Sequence, residues 1–600
     1  MVEPIRWRWG LVAALALTLL AMFPQLYLWH ERGGSWQGAN AFFYTDEPAY
    51  AAYVNALKDG KPRRNDPYTG RYDNKDATLP ESLFSIQFAT AYLVALPARA
   101  LGLSTATAFI LLSPLVAFAA SLALFWLLAH LTNDERTAAA FVPFVLCLGI
   151  LLSGNGLVRG LLGQQTRYVY LPFLRRYNPA VSFPCFILFF LLTWLALTGH
   201  TRRKRILYAL GAAAAFALCV YGYFFLWTAA AAWLVITAML WLLARPDGWR
   251  QGLASCVLIG LLALAVLVPY ANMLSHRAES MDTVQALVHT HAPDLWRSIE
   301  GIALVILAAL AIGLKRKRIN WADRRVLIAL AFAVLPVVLF NQQIITGRSL
   351  QPMHYEQFVA GYITLIAAAL AATLMWRGQA DNQALPLSIL LLVACLSYGW
   401  GAGETWIATR RFARANVLRD EARPVALRLR EVSLNEDATS GSPVVVFAPD
   451  VARADTLPMV APQAVLWAPH MFVFSGVTVA ENRERFFQYL YYSGVGAEEF
   501  VSHYLRQGFV SYAIFGWERA NPHLTVDYKP ISDEELASEA RNYADYISHF
   551  DRTRATHPQL SYLLVGVEQP INLTHLDQWY MRDGGEHIGT CVLYRLNLRP

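Results

Sequence analysis

The chain has 600 residues; 56% are hydrophobic and 16% are charged, where an ordinary soluble domain carries about a quarter charged. With a mean hydropathy of +0.34, it holds more apolar surface than a soluble fold can bury, which excludes a soluble globular enzyme and a disordered protein. The net charge is +7, but the basic residues cluster beside apolar runs, so acidic lipid headgroups or phosphate ligands explain them better than nucleic acid. A polytopic α-helical membrane protein is predicted, with aromatic residues at 13% suited to two interface belts.

Met1–Gly10 is basic and Trp-rich and leads into an apolar run ending at His30. That run is long for a signal-peptide core and has no small-residue cleavage site, so it is read as an uncleaved first span. Further runs long enough to cross a bilayer fall at 104–131, 137–153, 180–199, 206–222, 223–244, 251–270, 299–314, 324–340, 356–376 and 384–401. The run 84–101 contains Gln87, Pro97 and Arg99 and is read as a helix lying in the interface. This gives about eleven transmembrane helices. Placing Arg6/Arg8, Arg202–Arg205, Arg245/Arg250, Lys315–Arg318 and Arg377 on the cytoplasmic side puts the N-terminus inside and the C-terminus outside.

The expected outer connections are 31–103, 154–179, the turn Tyr221–Phe224, 271–298 and 341–355, and the first is far too long for a plain connector. Residues 1–401 therefore form a transmembrane domain. Beyond about residue 402 the charge density becomes ordinary, and 402–600 reads as a soluble α/β domain on the outer (periplasmic or extracellular) side. Its expected strands are Val444–Ala448, Phe509–Gly516, Tyr562–Val567 and Cys591–Leu596. Ser532–Glu535 reads as a capping box opening a helix with the stripe Leu536, Ala540, Tyr543, Ile547, Phe550. Cys591 is alone in this tail, so no internal disulfide is available to it.

The first outer segment carries Thr45-Asp46-Glu47-Pro48-Ala49-Tyr50-Ala51. Pro48 suits a first helical turn, and Tyr50, Val54 and Leu57 form an apolar stripe that Gly60 ends. Asp46 has two readings: an N-cap, or a general base at the lipid boundary. Asp46-Glu47-x-x-Tyr50-Ala51 after a first span, the Lys58-Asp59-Gly60 turn, an aromatic segment through Tyr72 and an interfacial helix ending in Leu101-Gly102 resemble the first loop of GT-C glycosyltransferases. The nearest branch is that of the lipid A aminoarabinose transferases and protein O-mannosyltransferases. The resemblance covers roughly residues 1–140 and is only topological beyond.

It implies a GT-C-like fold, a polyprenyl-phosphate-linked sugar donor, and catalytic placement for Asp46, with Glu47 beside it. The branch's Glu-Lys-Pro-Pro segment appears here as Asp76-Ala77-Thr78-Leu79-Pro80-Glu81, so the second carboxylate is either Asp76 or Glu81. Arg159, Arg167, Arg175 and Arg176 on the second outer connection either snorkel to headgroups or grip the donor phosphate. Arg348, on the polar connection 341–355, is a further phosphate candidate. Tyr50, Glu81, Asn178, Gln351 and His354 are the expected substrate contacts.

His289 and His291 read better as surface histidines than as metal ligands. Tyr221, Tyr223, Phe224, Phe225 and Trp227 read as interface anchors or as a stacking platform for sugar. No cofactor is demanded, and a divalent cation (Mg or Mn) at Asp46-Glu47 is left open. The expected activity is an inner (plasma) membrane, multi-pass glycosyltransferase that moves a sugar to a lipid, glycan or protein acceptor with inversion. Membrane lipids are its other partners, and no nucleic acid is. The competing readings are a transporter or flippase for a lipid-linked or anionic substrate, and a non-catalytic envelope assembly protein.

Overall fold

The computed structural model describes residues 5–600 apart from 153–155, 165–170, 286, 296, 379–383, 437–442, 506–507, 517–518, 520–523, 525–527 and 569–570. Arg167, one of the candidate phosphate ligands, lies outside the described residues. The chain is predominantly helical. Its long helices are α1 (Trp7–Arg32), α2 (Glu47–Lys58), α3 (Phe88–Ala100), α4 (Thr105–Thr132), α5 (Glu135–Leu148), α6 (Phe183–Thr198) and α7 (Arg202–Val220), followed by α8 (Phe224–Ala244), α9 (Trp249–Ser275), α10 (Ser298–Lys315), α11 (Arg324–Asn341), α12 (Gly361–Arg377) and α13 (Leu387–Glu436).

Among the described residues, nine helices are long and apolar enough to cross a membrane. Two more, α6 and α7, stand where runs 180–199 and 206–222 predict them. The first has only 16 residues, and the second begins with Arg202-Arg203-Lys204-Arg205. Every apolar run read from the sequence is thus a helix, and the protein is a multi-pass membrane protein. Helix starts are set by side-chain caps: Ser104 accepts from Thr107 N–H, Asp134 from Arg136 N–H, and Asp323 from Arg325 N–H. α3 is 13 residues long, too short to span, and packs along α2 with Leu93 and Leu96 exposed.

The two ends of the bundle are chemically distinct. At one end, Arg6 N–H donates to Glu135, Arg205 to Gln251, Arg324 to the Asp247 carbonyl, and Arg377 to the Thr132 carbonyl. At the other end the outer connections meet one another. Strand β1 (Leu287–His289) pairs with β2 (Arg348–Leu350), and Glu81 exchanges backbone hydrogen bonds with His276 and Ala278. The connections expected on one side of the membrane are thus packed together at one end of the bundle.

α13 does not stop where the apolar run does. In all it runs for 50 residues, about 75 Å at 1.5 Å per residue, so the change in composition near residue 402 falls inside one helix. Beyond it lies a mixed sheet ordered β4-β3-β5-β8-β6, with β7 also on β8. Its strands are β3 (Val445–Phe447), β4 (Ala464–Val465), β5 (Tyr562–Gly566), β6 (Tyr580–Arg582), β7 (Glu586–Ile588) and β8 (Cys591–Leu598). β3 is parallel to β4 and β5, and β8 runs antiparallel to β5. The expected strand Phe509–Gly516 is instead a helix, Gly508–Phe515. A short apolar run lacks the period that separates strand from helix, and here the helix prevails. The capping box at Ser532 is present and opens the helix Asp533–Ser548.

This outer unit is clamped onto the first outer segment. Phe474 stacks on Phe84 at 4.3 Å and packs beside Tyr53 and Tyr68, while the Tyr68 hydroxyl donates to Asp455. Asp66 lies in the same seam. Its Oδ1 accepts from Tyr68 and Thr69 N–H, but its Oδ2 is buried with no partner among the described residues. Burial pushes this carboxyl up to about 6. Because the folded state holds the proton more tightly than the unfolded chain, Asp66 favours folding most at low pH, and that contribution is lost as pH rises through about 6. Asp66→Asn is therefore expected to raise stability at pH 8 by on the order of 3 kcal/mol. The check is thermal melting of both proteins in detergent from pH 4 to 8; the wild type should lose more stability than the variant across that range.

Candidate functional site

The site is built where two consecutive carboxylates meet two consecutive arginines. Pro48 in the first turn of α2 fixes the start of that helix, and Asp46 and Glu47 sit at its mouth. Asp46 makes no side-chain cap bond. Its Oδ2 instead accepts from Arg175 Nη1 at 3.0 Å, while about 39% of its side chain is open to solvent.

One residue on, Glu47 is fully buried and takes Arg176 Nη2 at 2.8 Å. Arg176 also donates to the carbonyls of Phe109 and Ala41 and lies over the ring of Phe43 at 4.5 Å. Burial pushes the Glu47 carboxyl above the usual carboxylate range, against the pull of Arg176. The deep pair thus ties α2 to α4 and to the end of the segment after α1, and it sets the position of the shallow pair.

Arg175 sits in a box of rings. Phe358, Tyr44, Tyr50 and Tyr223 have centroids 4.3, 4.8, 5.3 and 5.5 Å from its guanidinium carbon. Its Nε donates to the Asn178 carbonyl at 2.7 Å and its Nη2 to the Tyr223 hydroxyl at 2.9 Å. That hydroxyl lies 3.2 Å from His354 Nδ1. A continuous polar chain therefore runs Asp46–Arg175–Tyr223–His354, joining four outer connections.

Asn178 Nδ2 reaches Gln87 Oε1 and the Gly222 carbonyl, leaving its Oδ1 buried and unpartnered among the described residues. Gln351 adopts a left-handed backbone just before His354, and its Oε1 is likewise buried without a partner there. On the outer unit, His470 Nδ1 lies 2.7 Å from Asp455 Oδ2. Burial works against charge on this imidazole. Asp455 overcomes that and, together with Asp46, holds it above its ordinary value.

The remaining expected residues stand apart from this chain. Glu81 is gripped by both terminal nitrogens of Arg63 at 2.6 and 2.7 Å and by the Ser85 hydroxyl. Arg348 lies on exposed β2, opposite His289, and its guanidinium makes no hydrogen bond or ion pair among the described residues. Asp46 and Glu47 each face a guanidinium, and among the described residues no group of three or more His, Cys, Asp or Glu is placed to hold a metal. Tyr44, Phe358, His470 and Asp455 were not foreseen. Tyr44 lies two residues before Asp46, and Tyr223 belongs to the aromatic cluster at the second outer turn; nothing local in sequence marks the other three.

No family model matches the sequence, and no curated protein does. Among solved structures, the chain is similar to the oligosaccharyltransferase of Archaeoglobus fulgidus in its apo form, at 12% identity over 94% of this chain and 70% of that one, with a TM-score of 0.44. It is also similar to ArnT from Cupriavidus metallidurans. The apo state gives 14% identity over 82% and 94% of the two chains, with a TM-score of 0.41. The state bound to undecaprenyl phosphate gives 11% over 98% of each, with a TM-score of 0.43. These are remote likenesses.

Removing one partner of a buried ion pair strands the other charge. Arg176→Ala is expected to cost about 3–5 kcal/mol, whereas Asp46→Asn keeps an amide oxygen for the buried Arg175 and is expected to cost less. Thermal melts of the two variants against wild type measure the difference; equal losses would refute the division between deep and shallow pairs.

Proposed function

We propose that this protein is a membrane glycosyltransferase of the GT-C type, moving a sugar from a polyprenyl-phosphate-linked donor to an extracytoplasmic acceptor with inversion. The observation that carries the reading is Asp46: a solvent-reachable carboxylate held by a buried arginine at the mouth of a short helix, on the outer segment that resembles the GT-C first loop. In this reading the N-terminus is cytoplasmic, and the outer connections and C-terminal domain face the periplasm or cell exterior.

All three nitrogens of Arg175 are engaged by protein groups, and the one anionic partner among them is the partly exposed Asp46. Donor phosphate takes the place of Asp46 at Nη1, and the released carboxylate becomes the base. The acceptor oxygen gives its proton to Asp46 and bonds to the anomeric carbon. The bond from that carbon to the phosphate oxygen breaks on the opposite face, and its electron pair leaves with the polyprenyl phosphate. Arg175 stabilises the charge gathering on the leaving phosphate. Arg348, free at the rim, meets the incoming donor. Gln351, His354 and Asn178 have open or exchangeable polar atoms for sugar hydroxyls, and Tyr50 offers a ring face. Glu47, Arg176 and Glu81 hold the frame.

The test follows release of free polyprenyl phosphate by the purified protein in nanodiscs, supplied with polyprenyl-phosphate sugars and an acceptor-containing membrane extract. Asp46→Asn is expected to lower the rate by roughly 10²–10⁴-fold while melting like wild type. A folded, fully active Asp46→Asn protein would overturn the role of Asp46. Tight donor binding without any release would instead favour a transporter of lipid-linked sugar.

A further inference from the structure

The outer half of α13 carries cations that the site above does not use. Arg419, Arg423, Arg430 and Lys58 border a cavity of about 240 Å3 between α13, α2, the segment Ala39–Phe42 and the entry to α4. Lys58 and Arg430 share Asp59, each at 2.7 Å, so their charges are answered. The other carboxylates nearby are occupied too. Asp420 is fully buried and accepts from Arg32 Nε and from the N–H groups of Gln37 and Ala39. Glu421 takes Arg32 Nη1 at 2.8 Å.

That leaves Arg419 and Arg423 without an ion pair among the described residues, although Asp455 and Glu47 act on Arg419, and Asp420 on Arg423, at longer range. Arg423 makes no hydrogen bond or ion pair among the described residues, and its Nε is buried. Arg419 lies over the Phe42 ring at 4.5 Å and reaches only Asn416 Oδ1 at 3.5 Å; its Nε is also buried and unpartnered. A third donor on the same cavity, Asn40 Nδ2, is buried without an acceptor. Arg419 and Arg423 are half-buried, and a buried donor left unmade is costly. Two guanidinium Nε groups and one amide donor around one void, with no free carboxylate among the described residues facing it, call for an acceptor-rich anion.

We propose that this cavity binds a phosphate group. Two guanidiniums one helical turn apart match the several acceptor oxygens of a phosphate ester. Asn55 and Lys58 lie nine and twelve residues along α2 from Asp46, so the cavity is separate from the site at the helix mouth. Its level is that of a lipid headgroup: Thr105 on its wall begins an apolar span, and Leu101, 71% exposed, stands next to it. A membrane phospholipid and a soluble phosphate ester would present the same chemistry there.

Full-length protein in neutral detergent, titrated by native mass spectrometry with phosphatidylglycerol and separately with glycerol 3-phosphate, tests this. The wild type is expected to hold one phosphatidylglycerol or one glycerol 3-phosphate with an affinity that Arg423→Gln lowers at least tenfold. Arg423→Lys, which keeps the charge, should retain binding within about threefold, and Arg250→Gln at the opposite end should change nothing. Preference for phosphatidylglycerol identifies the lipid as the source, and equal or better binding of glycerol 3-phosphate identifies the soluble ester. Melting without ligand controls for folding, and Arg423→Gln should not melt below wild type, since it removes a half-buried charge that has no ion pair among the described residues. Equal binding of both probes by wild type and a folded Arg423→Gln protein, or binding of neither by wild type, overturns the proposal.

Discussion

The outer face of this protein depends on a register between two dipeptides 129 residues apart. Asp46-Glu47 opens α2, Arg175-Arg176 precedes α6, and each acid takes one arginine. Consecutive side chains diverge, so one pair goes inward and one outward. The inward pair costs desolvation of two charges, and it is tolerable because Arg176 also satisfies the carbonyls of Phe109 and Ala41. Once that pair is fixed, Asp46 has little freedom: its backbone is held by the helix and its oxygen by a guanidinium walled in by four rings.

The C-terminal unit is tied to this frame rather than hung from it. α13 carries the chain outward as one rigid element, and Asp420 on it captures Arg32 at the end of α1 and the backbone at Gln37 and Ala39. The aromatic seam Phe84–Phe474–Tyr53–Tyr68 then closes the unit over α2, which brings His470 close enough to feel the charge of Asp46. The first outer segment is long because it must serve both as the lining of the site and as the floor for this unit.

The membrane half is legible in the sequence because its signal is local: an apolar run of sufficient length has one stable answer in a bilayer, a helix. The expected parity of the spans rests on where Arg202–Arg205 and Lys315–Arg318 stand. Asp46 and Arg175 are each visible as polar residues at outer-loop positions, but their pairing is not, since nothing local links residues so distant. The ring box fails to show for the same reason, with Tyr44 and Tyr223 coming from two connections and Phe358 from the start of a span. The continuation of α13 is hidden by its change of character: past residue 402 its exposed faces become charged, and a helix passing from lipid to water loses the pattern that announced it. Phe509–Gly516 shows the converse, a strand-like run too short for its period to decide.

The two sets of arginines on this face illustrate how protein context sets what a guanidinium is available for. Arg176 has all three nitrogens engaged by a carboxylate and two carbonyls in a dry setting. Arg175 is equally buried, yet one of its partners is an exposed carboxylate, so its occupancy is exchangeable with that of an incoming anion. Arg419 and Arg423 are the opposite extreme, half-buried side chains whose Nε groups are buried and meet no acceptor among the described residues. Their place on the cavity wall is set by Asp420, the residue next to Arg419, whose own bonds to Arg32 and to the N–H groups of Gln37 and Ala39 fix α13 against α1.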